Sequence, residues 1–308
     1  MAEERNREDD FVLCGADTAN MEQIATPPSS YWKVTLKRFS SNKVALVAAA
    51  VMLIIILLCI FGPILSGYEF EQMDMKAKNQ GPSLAHLFGT DQLGRDLFTR
   101  VCRGGRISIM IGVAGALISV VVGCLYGGVS AYLGGAVDTV MMRIVEIVSS
   151  VPHLLVVIMI SIVLDSKSIG TLMFAMLVTS WCGLARLVRS QMLQISQSEY
   201  VMAARQLGVG SFKVVLTHLI PNCMSIIIVN MTFSIPGLIF SEAFLSYVGL
   251  GVQSPETSWG ALASAAAASF LTHPNQLFFP TLMISLTMLC FILIGDGLRD
   301  AMDPKLWR

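Results

Sequence analysis

The sequence predicts an all-α membrane protein with six transmembrane helices and a cytoplasmic helix-turn-helix between the fourth and the fifth. Three observations carry that expectation. Hydrophobic residues fill 54% of the 308 positions and charged residues only 14%, with a mean hydropathy of +0.68, far from the usage of a water-soluble domain. Six apolar stretches reach the roughly 20 residues that a helix needs to cross a hydrocarbon core of about 30 Å. Between two of them stands "EYVMAARQLGVGSFKVVLTHLIPN", residues 199–222, a run of helix formers, two glycines and a second helical run ending in Pro-Asn.

Taken in order, residues 1–30 hold seven acidic side chains against Arg5 and Arg7 and read as a disordered cytoplasmic tail. Residues 31–66 form an amino-terminal membrane anchor, its span beginning at Val44. The 43 mostly polar residues before that span are too long a leader for a cleaved secretory signal. Residues 67–106 make an extracytoplasmic connection. Its second half, "GTDQLGRDLFTRVCRGGRISI", is amphipathic and is expected to lie as a short helix along the membrane surface. The core, residues 107–297, carries five further spans at about 107–133, 139–164, 168–188, 222–248 and 276–297, with the helix-turn-helix in the loop at about 189–221. The alanine-rich run from Ala261 to Ala268 is too short to span and is expected as a short helix tucked in at the outer surface. Residues 298–308 form a cytoplasmic tail.

Lysine and arginine near the span ends set the orientation. With both termini in the cytoplasm, the inner side holds Lys33, Lys37, Arg38, Lys43, Arg143, Arg186, Arg189, Arg205, Lys213, Arg299, Lys305 and Arg308. The outer side holds Lys76, Lys78, Arg95, Arg100, Arg103, Arg106 and Lys167.

Several functions are excluded or disfavoured. A net charge of zero leaves no basic excess for nucleic acid. The seven cysteines show no C-x-x-C spacing and read as packing thiols. His86, His153, His218 and His273 are scattered, without metal-ligand spacing. No Gly-Lys dipeptide occurs, so the phosphate-cradling G-x-x-x-x-G-K-[ST] loop is absent and the chain is expected not to hydrolyse ATP by itself.

A chain that crosses the membrane six times needs no inner helix-turn-helix for its own stability, which points to docking there. Glu199 and Arg205 are the only charges of its first helix. Ala203 and Ala204 offer small faces, and Gly208 and Gly210 suit a left-handed helix end. Pro221 opens the next span where a missing N–H is harmless. A plain interfacial connector is the competing reading. Inside the spans, Arg143 and Glu146 stand three apart, an intrahelical ion pair with gating as the lesser reading. Glu242 lies toward the outer end of its span, where a role in the pathway competes with an interfacial position. Asn222, Ser225, Asn230 and Ser234 form a polar stripe that either lines a wet path or bonds neighbouring helices. Gly123 and Gly127 suit close helix packing.

The helix-turn-helix resembles the signature of bacterial ABC-transporter permease subunits, written E-A-A, three residues, G, nine residues, I-x-L-P. Ala203, Ala204, Gly208 and Pro221 fall on it in register, while Met202 replaces its Glu and His218 and Ile220 replace its Ile and Leu. "GTDQLGRDLFTRV", "SEAFLSYVGLGVQSPETSWG" and "GDGLRDAMDPKLWR" are similar to the C-type permease subunit of the dipeptide and oligopeptide importers, a group that includes nickel and glutathione importers. The resemblance implies a type I ABC importer permease fold in the bacterial inner membrane, forming half of a pathway for peptides or similar small solutes. It implies four kinds of partner: a second homologous permease subunit, two cytoplasmic ATPase subunits, an extracytoplasmic substrate-binding protein and the lipid bilayer. ATP and Mg2+ would sit on the ATPases, with no cofactor in this chain. Residues 199–221 would couple to the ATPases through Glu199, Ala203, Ala204, Arg205, Gly208 and Pro221. Nickel-chelate or glutathione cargo stays open. An ion-coupled secondary transporter is the rival, expected to show internal repeats and ionisable groups at the bilayer midplane.

Overall fold

The computed structural model describes residues 31–165, 168–252 and 256–303. The tail expected over 1–30 and the last five residues of the chain lie outside them. Apart from one isolated bridge between Thr90 and Asp96, every regular element among the described residues is helical.

Helix α1 (Tyr31–Ser41) passes into α2 (Lys43–Ser66) at Asn42, whose side-chain oxygen accepts from the Val44 and Ala45 amides at 3.1 and 3.2 Å and so starts a new helix. Pro63 lies inside α2 and has no N–H to offer the Cys59 carbonyl. Arg106 supplies the missing donor from the next helix: its Nε donates to Cys59 O at 2.6 Å and a terminal nitrogen donates to Ile60 O at 2.5 Å.

The cap over this end of the bundle, residues 67–96, closes around two aspartates. Asp91 accepts from the Leu93 and Arg95 amides and from Arg95 Nε at 2.7 Å. Asp96 accepts from the Thr99 amide at 2.8 Å and starts α3 (Leu97–Leu133). The separate surface helix expected before residue 107 is therefore corrected. No proline interrupts residues 97–133, so the amphipathic stretch becomes the first part of one 37-residue helix. Its arginines find protein partners rather than headgroups: Arg100 is 6% exposed, bonded to Phe70 O at 3.4 Å and 3.7 Å from Asp91.

The stretch expected as one span over 139–164 is broken into two helices, α4 (Gly135–Ser150) and α5 (His153–Val163), bent by 81°. Pro152 excludes the helical conformation at the residue before it, and Val151 is extended at φ −86° and ψ 131°. Helix α6 (Ile169–Ser196), capped by Ser168, runs eight residues beyond the expected end at 188. It lies against α3 so closely that a Cβ on Gly127 would sit 2.3 Å from Ala185 O, and one on Gly123 would sit 3.0 Å from Leu184 Cβ. Arg189 of α6 donates through Nε to Asp138 of α4 at 2.8 Å, and Ser130 of α3 donates to the same carboxylate.

Then follow α7 (Glu199–Gln206), α8 (Ser211–Val214), a π-helical turn over Val215–Leu219, α9 (Ile220–Tyr247), α10 (Trp259–Ala267) and α11 (Pro274–Met302). Pro221 stands in the first turn of α9, as expected, but no loop precedes it. The π turn, in which Ile220 N bonds Val215 O, widens the backbone where Pro221 lacks its donor, and α8 runs on into α9. Among the described residues, five helices of 24 to 37 residues are long and apolar enough to cross a membrane, and the bent α4–α5 pair brings the number to six if it counts as one broken span. The alanine-rich segment is the short helix expected, anchored by Trp259. That side chain is fully buried and donates through Nε1 to Val101 O at 2.9 Å.

Candidate functional site

The hairpin α7–α8 is held by its apolar interior. Val201 is fully buried among Val188, Met192, Val214 and Leu219, so one side of α7 is fixed to α6 and to the root of α9. Its first turn is closed by the Ser198 carbonyl, which accepts from the Val201 and Met202 amides. Its end is a Schellman turn: Gly208 sits at φ +80° and Val209 N bonds Ala204 O at 3.1 Å. Gly210 has no positive φ, so only one of the two glycines expected to be left-handed is so. The outward face is apolar and uncovered, with Tyr200 48%, Met202 46% and Leu207 84% exposed beside exposed Glu199 and Ala203 and half-buried Ala204. Arg205 lies on the same helix, and Pro221 is exposed in the first turn of α9. Exposed apolar side chains grouped in this way are the kind of surface that binds a partner.

The second feature is a cavity of about 410 Å³ at the elbow of α4 and α5, and an adjoining one of about 310 Å³ that shares Ser119, Ser180 and Ser234 with it. Helices α3, α5, α6 and α9 contribute Ser119, His153, Thr179, Ser180, Arg186, Ser234 and Ser241 to the first. Ser119 and Ser180 hydroxyls meet at 2.7 Å, and His153 Nδ1 bonds Thr179 Oγ1. Ser234 and Ser241 donate to carbonyls of their own helix, each at 2.8 Å, which leaves oxygen lone pairs toward the space. The lining is thus a wall of hydroxyls, one imidazole and one guanidinium.

The polar stripe divides. Ser234 lines both cavities and Asn230 the second, with Asn230 Nδ2 donating to Ile226 O at 2.9 Å. Ser225 instead meets the Tyr31 hydroxyl of α1 at 2.6 Å, and Asn222 is exposed at the hairpin end. Arg143 and Glu146 form the intrahelical pair, at 2.7 Å, on a face where their side chains are 71% and 54% exposed. Glu242 lines neither cavity. It is fully buried, accepting from Ser108 of α3 at 2.9 Å and Ser246 of α9 at 2.7 Å, while Ser108 in turn accepts the Trp259 amide. This carboxylate ties three helices. The cavity residues Ser119, His153, Thr179, Ser180, Arg186 and Ser241 were not anticipated. The available signals were Pro152, which makes the elbow, and an arginine ten residues before the end of α6.

Long apolar helices around a polar-walled cavity, with an exposed apolar hairpin at one end, fit the permease subunit of a membrane transporter. The chain belongs to the family of binding-protein-dependent transport system inner membrane components, whose profile matches residues 115–308; the N-terminal TM domain of oligopeptide transport permease C matches residues 30–82. The oligopeptide transport system permease protein OppC of Bacillus subtilis is 44% identical over 96% of this chain and 97% of its own length. The dipeptide transport system permease protein DppC of the same organism is 44% identical over 97% and 93%. A glutathione transport system permease protein, GsiD of Shigella boydii, is 38% identical over 96% of both chains. Among solved structures, the MetNI methionine ABC transporter in inward-facing form matches with a TM-score of 0.54 at 17% identity, over 66% of this chain and 96% of that one. The fold is that of a type I ABC importer permease.

Proposed function

We propose that the chain forms half of the pathway of an ATP-driven importer of dipeptides or oligopeptides. The observation that carries the reading is the 44% identity, over nearly the whole length, to permeases named for those two cargoes. A second homologous permease subunit completes the pathway on the flank where the cavity opens. Two cytoplasmic ATPases, which bind the ATP and Mg2+, receive the exposed face of α7, and an extracytoplasmic binding protein delivers cargo to the cap. This arrangement puts both termini in the cytoplasm, in keeping with the lysine and arginine count. Turnover is alternating access, with closure of the ATPases moving the hairpin and the helices rooted in it.

Glutathione is the second cargo reading, supported by the Shigella relative. The test is to purify the whole complex with its binding protein, identify by mass spectrometry what that protein retains, and measure ATP-dependent uptake of those compounds into proteoliposomes. Retained and transported peptides support the proposal. Retention of glutathione alone, or uptake that follows an ion gradient without ATP, overturns it.

A further inference from the structure

Arg186 is the eighteenth residue of the 28-residue α6 and lines the elbow cavity. At 1.5 Å per residue it stands about 15 Å from one end of that helix and about 25 Å from the other. Among the described residues it makes no ion pair or hydrogen bond, whereas Arg143 and Arg189 are each matched to a carboxylate. The cavity holds no acidic side chain at all; around Arg186 it offers hydroxyls and the imidazole of His153. Arg186 is exposed to this cavity, and a cation facing such a space calls for a counter-charge, which none of the lining residues supplies.

We propose that Arg186 receives the carboxylate of the cargo as it passes the elbow cavity. The inference rests on the peptide-import reading and names the chemical feature that this wall recognises. A guanidinium presents parallel N–H donors that match a carboxylate in two-point contact. The Ser119, Ser180 and Ser234 hydroxyls serve the amide groups behind it. Because the hydroxyls are already bonded within the protein, they hold the cargo weakly, and conduction needs a site that releases as readily as it binds.

The experiment uses the complete complex in proteoliposomes, with its binding protein, and compares one labelled tripeptide carrying a free carboxylate with the same tripeptide amidated at its C-terminus. Affinities of the binding protein for both are measured separately, so that the ratio of uptake rates reports the permease. In Arg186→Gln, uptake of the free-acid peptide is expected to fall by about tenfold while the amide changes little, and Arg186→Lys is expected to recover most of the loss. An equal fall for both peptides makes Arg186 a contact to an acidic group of the second permease subunit and overturns the proposal, as does an unchanged ratio. If Arg186→Gln fails to assemble, the ratio in Arg186→Lys decides: preference for the free acid must weaken there without being lost. A wild-type complex that transports neither peptide removes the peptide reading itself, an outcome distinct from a transporter indifferent to residue 186.

Discussion

Removing the side chain of Arg106 is expected to destabilise the junction of α2 and α3, and by an amount that depends on a residue 43 positions earlier. Pro63 leaves the Cys59 carbonyl without a helical donor, and the Arg106 guanidinium takes that place at 2.6 Å while also reaching Ile60 O. A hydrogen bond involving a charged group contributes about 1.5–3 kcal/mol, and an acceptor orphaned in an apolar setting costs about 1–3 kcal/mol. Arg106→Met keeps most of the stem and removes the donors. Recovered hydration of the guanidinium in the unfolded comparison offsets part of the loss, so a net cost of about 2 kcal/mol, roughly thirtyfold in the unfolding equilibrium, is expected. In a Pro63→Ala background the restored N–H serves Cys59 O by itself, and the same substitution should then cost about 1 kcal/mol or less.

The assay is a double-mutant cycle read by equilibrium unfolding in mixed micelles with a rising fraction of dodecyl sulfate. The coupling between positions 63 and 106 is the quantity that matters, because each single change alone also alters packing. If Arg106→Met costs the same in both backgrounds, the arginine does not substitute for the missing proline donor and the account of the α2–α3 junction is wrong.

Gly208→Val should leave membrane insertion intact but lower uptake and uncouple ATP hydrolysis. Space is open around Gly208, so its cost of about 1–2 kcal/mol is a backbone cost at φ +80°, and Gly208→Asn should be far milder in the same assays. Gly127→Ala should cost about 1–3 kcal/mol in dodecyl sulfate unfolding, because its Cβ would meet Ala185 O at 2.3 Å, whereas Gly170→Ala, with nothing closer than 3.9 Å, should be near neutral. Asp138→Asn should weaken the α4–α6 tie by about 1–2 kcal/mol, discounted because Arg189 is 32% exposed, and Ser130→Ala should add little once the carboxylate is gone.

The spans and the hairpin were legible because both are local signals. Twenty apolar residues in a row, or two helix formers flanking Gly208, say what they are without reference to the rest of the chain. What was missed needed partners. Arg100 and Arg106 look like surface charges until Asp91, Phe70 O and Cys59 O are placed beside them, and only then can α3 run unbroken through them. Pro152 was in plain view, yet hydropathy is continuous on both sides of it and the break passed as the middle of one span. The same reliance on hydropathy ended the fourth span at 188. Helix α6 itself runs on to Ser196, so Arg186, which in the sequence reads as a charge near the end of a span, stands ten residues before the helix end and lines the cavity. Glu242 likewise needed its partners to be placed. A lone acid in a span suggests a pathway, but Ser108, Ser246 and Trp259 come from three parts of the chain to bury it.

These particulars bear on how a push at the hairpin reaches the cavity. Helices α8 and α9 are joined through the π turn without a loop, so one helical rod runs from Ser211 to Tyr247. It begins at the α7–α8 hairpin, carries Asn230, Ser234 and Ser241 along the cavities, and ends at the Glu242 knot with α3 and α10. A loop at Val215–Leu219 would absorb displacement locally, whereas a continuous rod passes it on. The knot holds the far end, so motion of the near end tilts the rod about that end and changes the cavity in between. The wall opposite is the α4–α5 elbow, where Val151 is extended and no helical hydrogen bonds cross Pro152 to resist a change of angle. Pro236 withholds one helical hydrogen bond from α9 beside Ser234, so both walls have a place to bend, although only the elbow breaks its helix outright. Alternating access asks for such bending within each half-pathway.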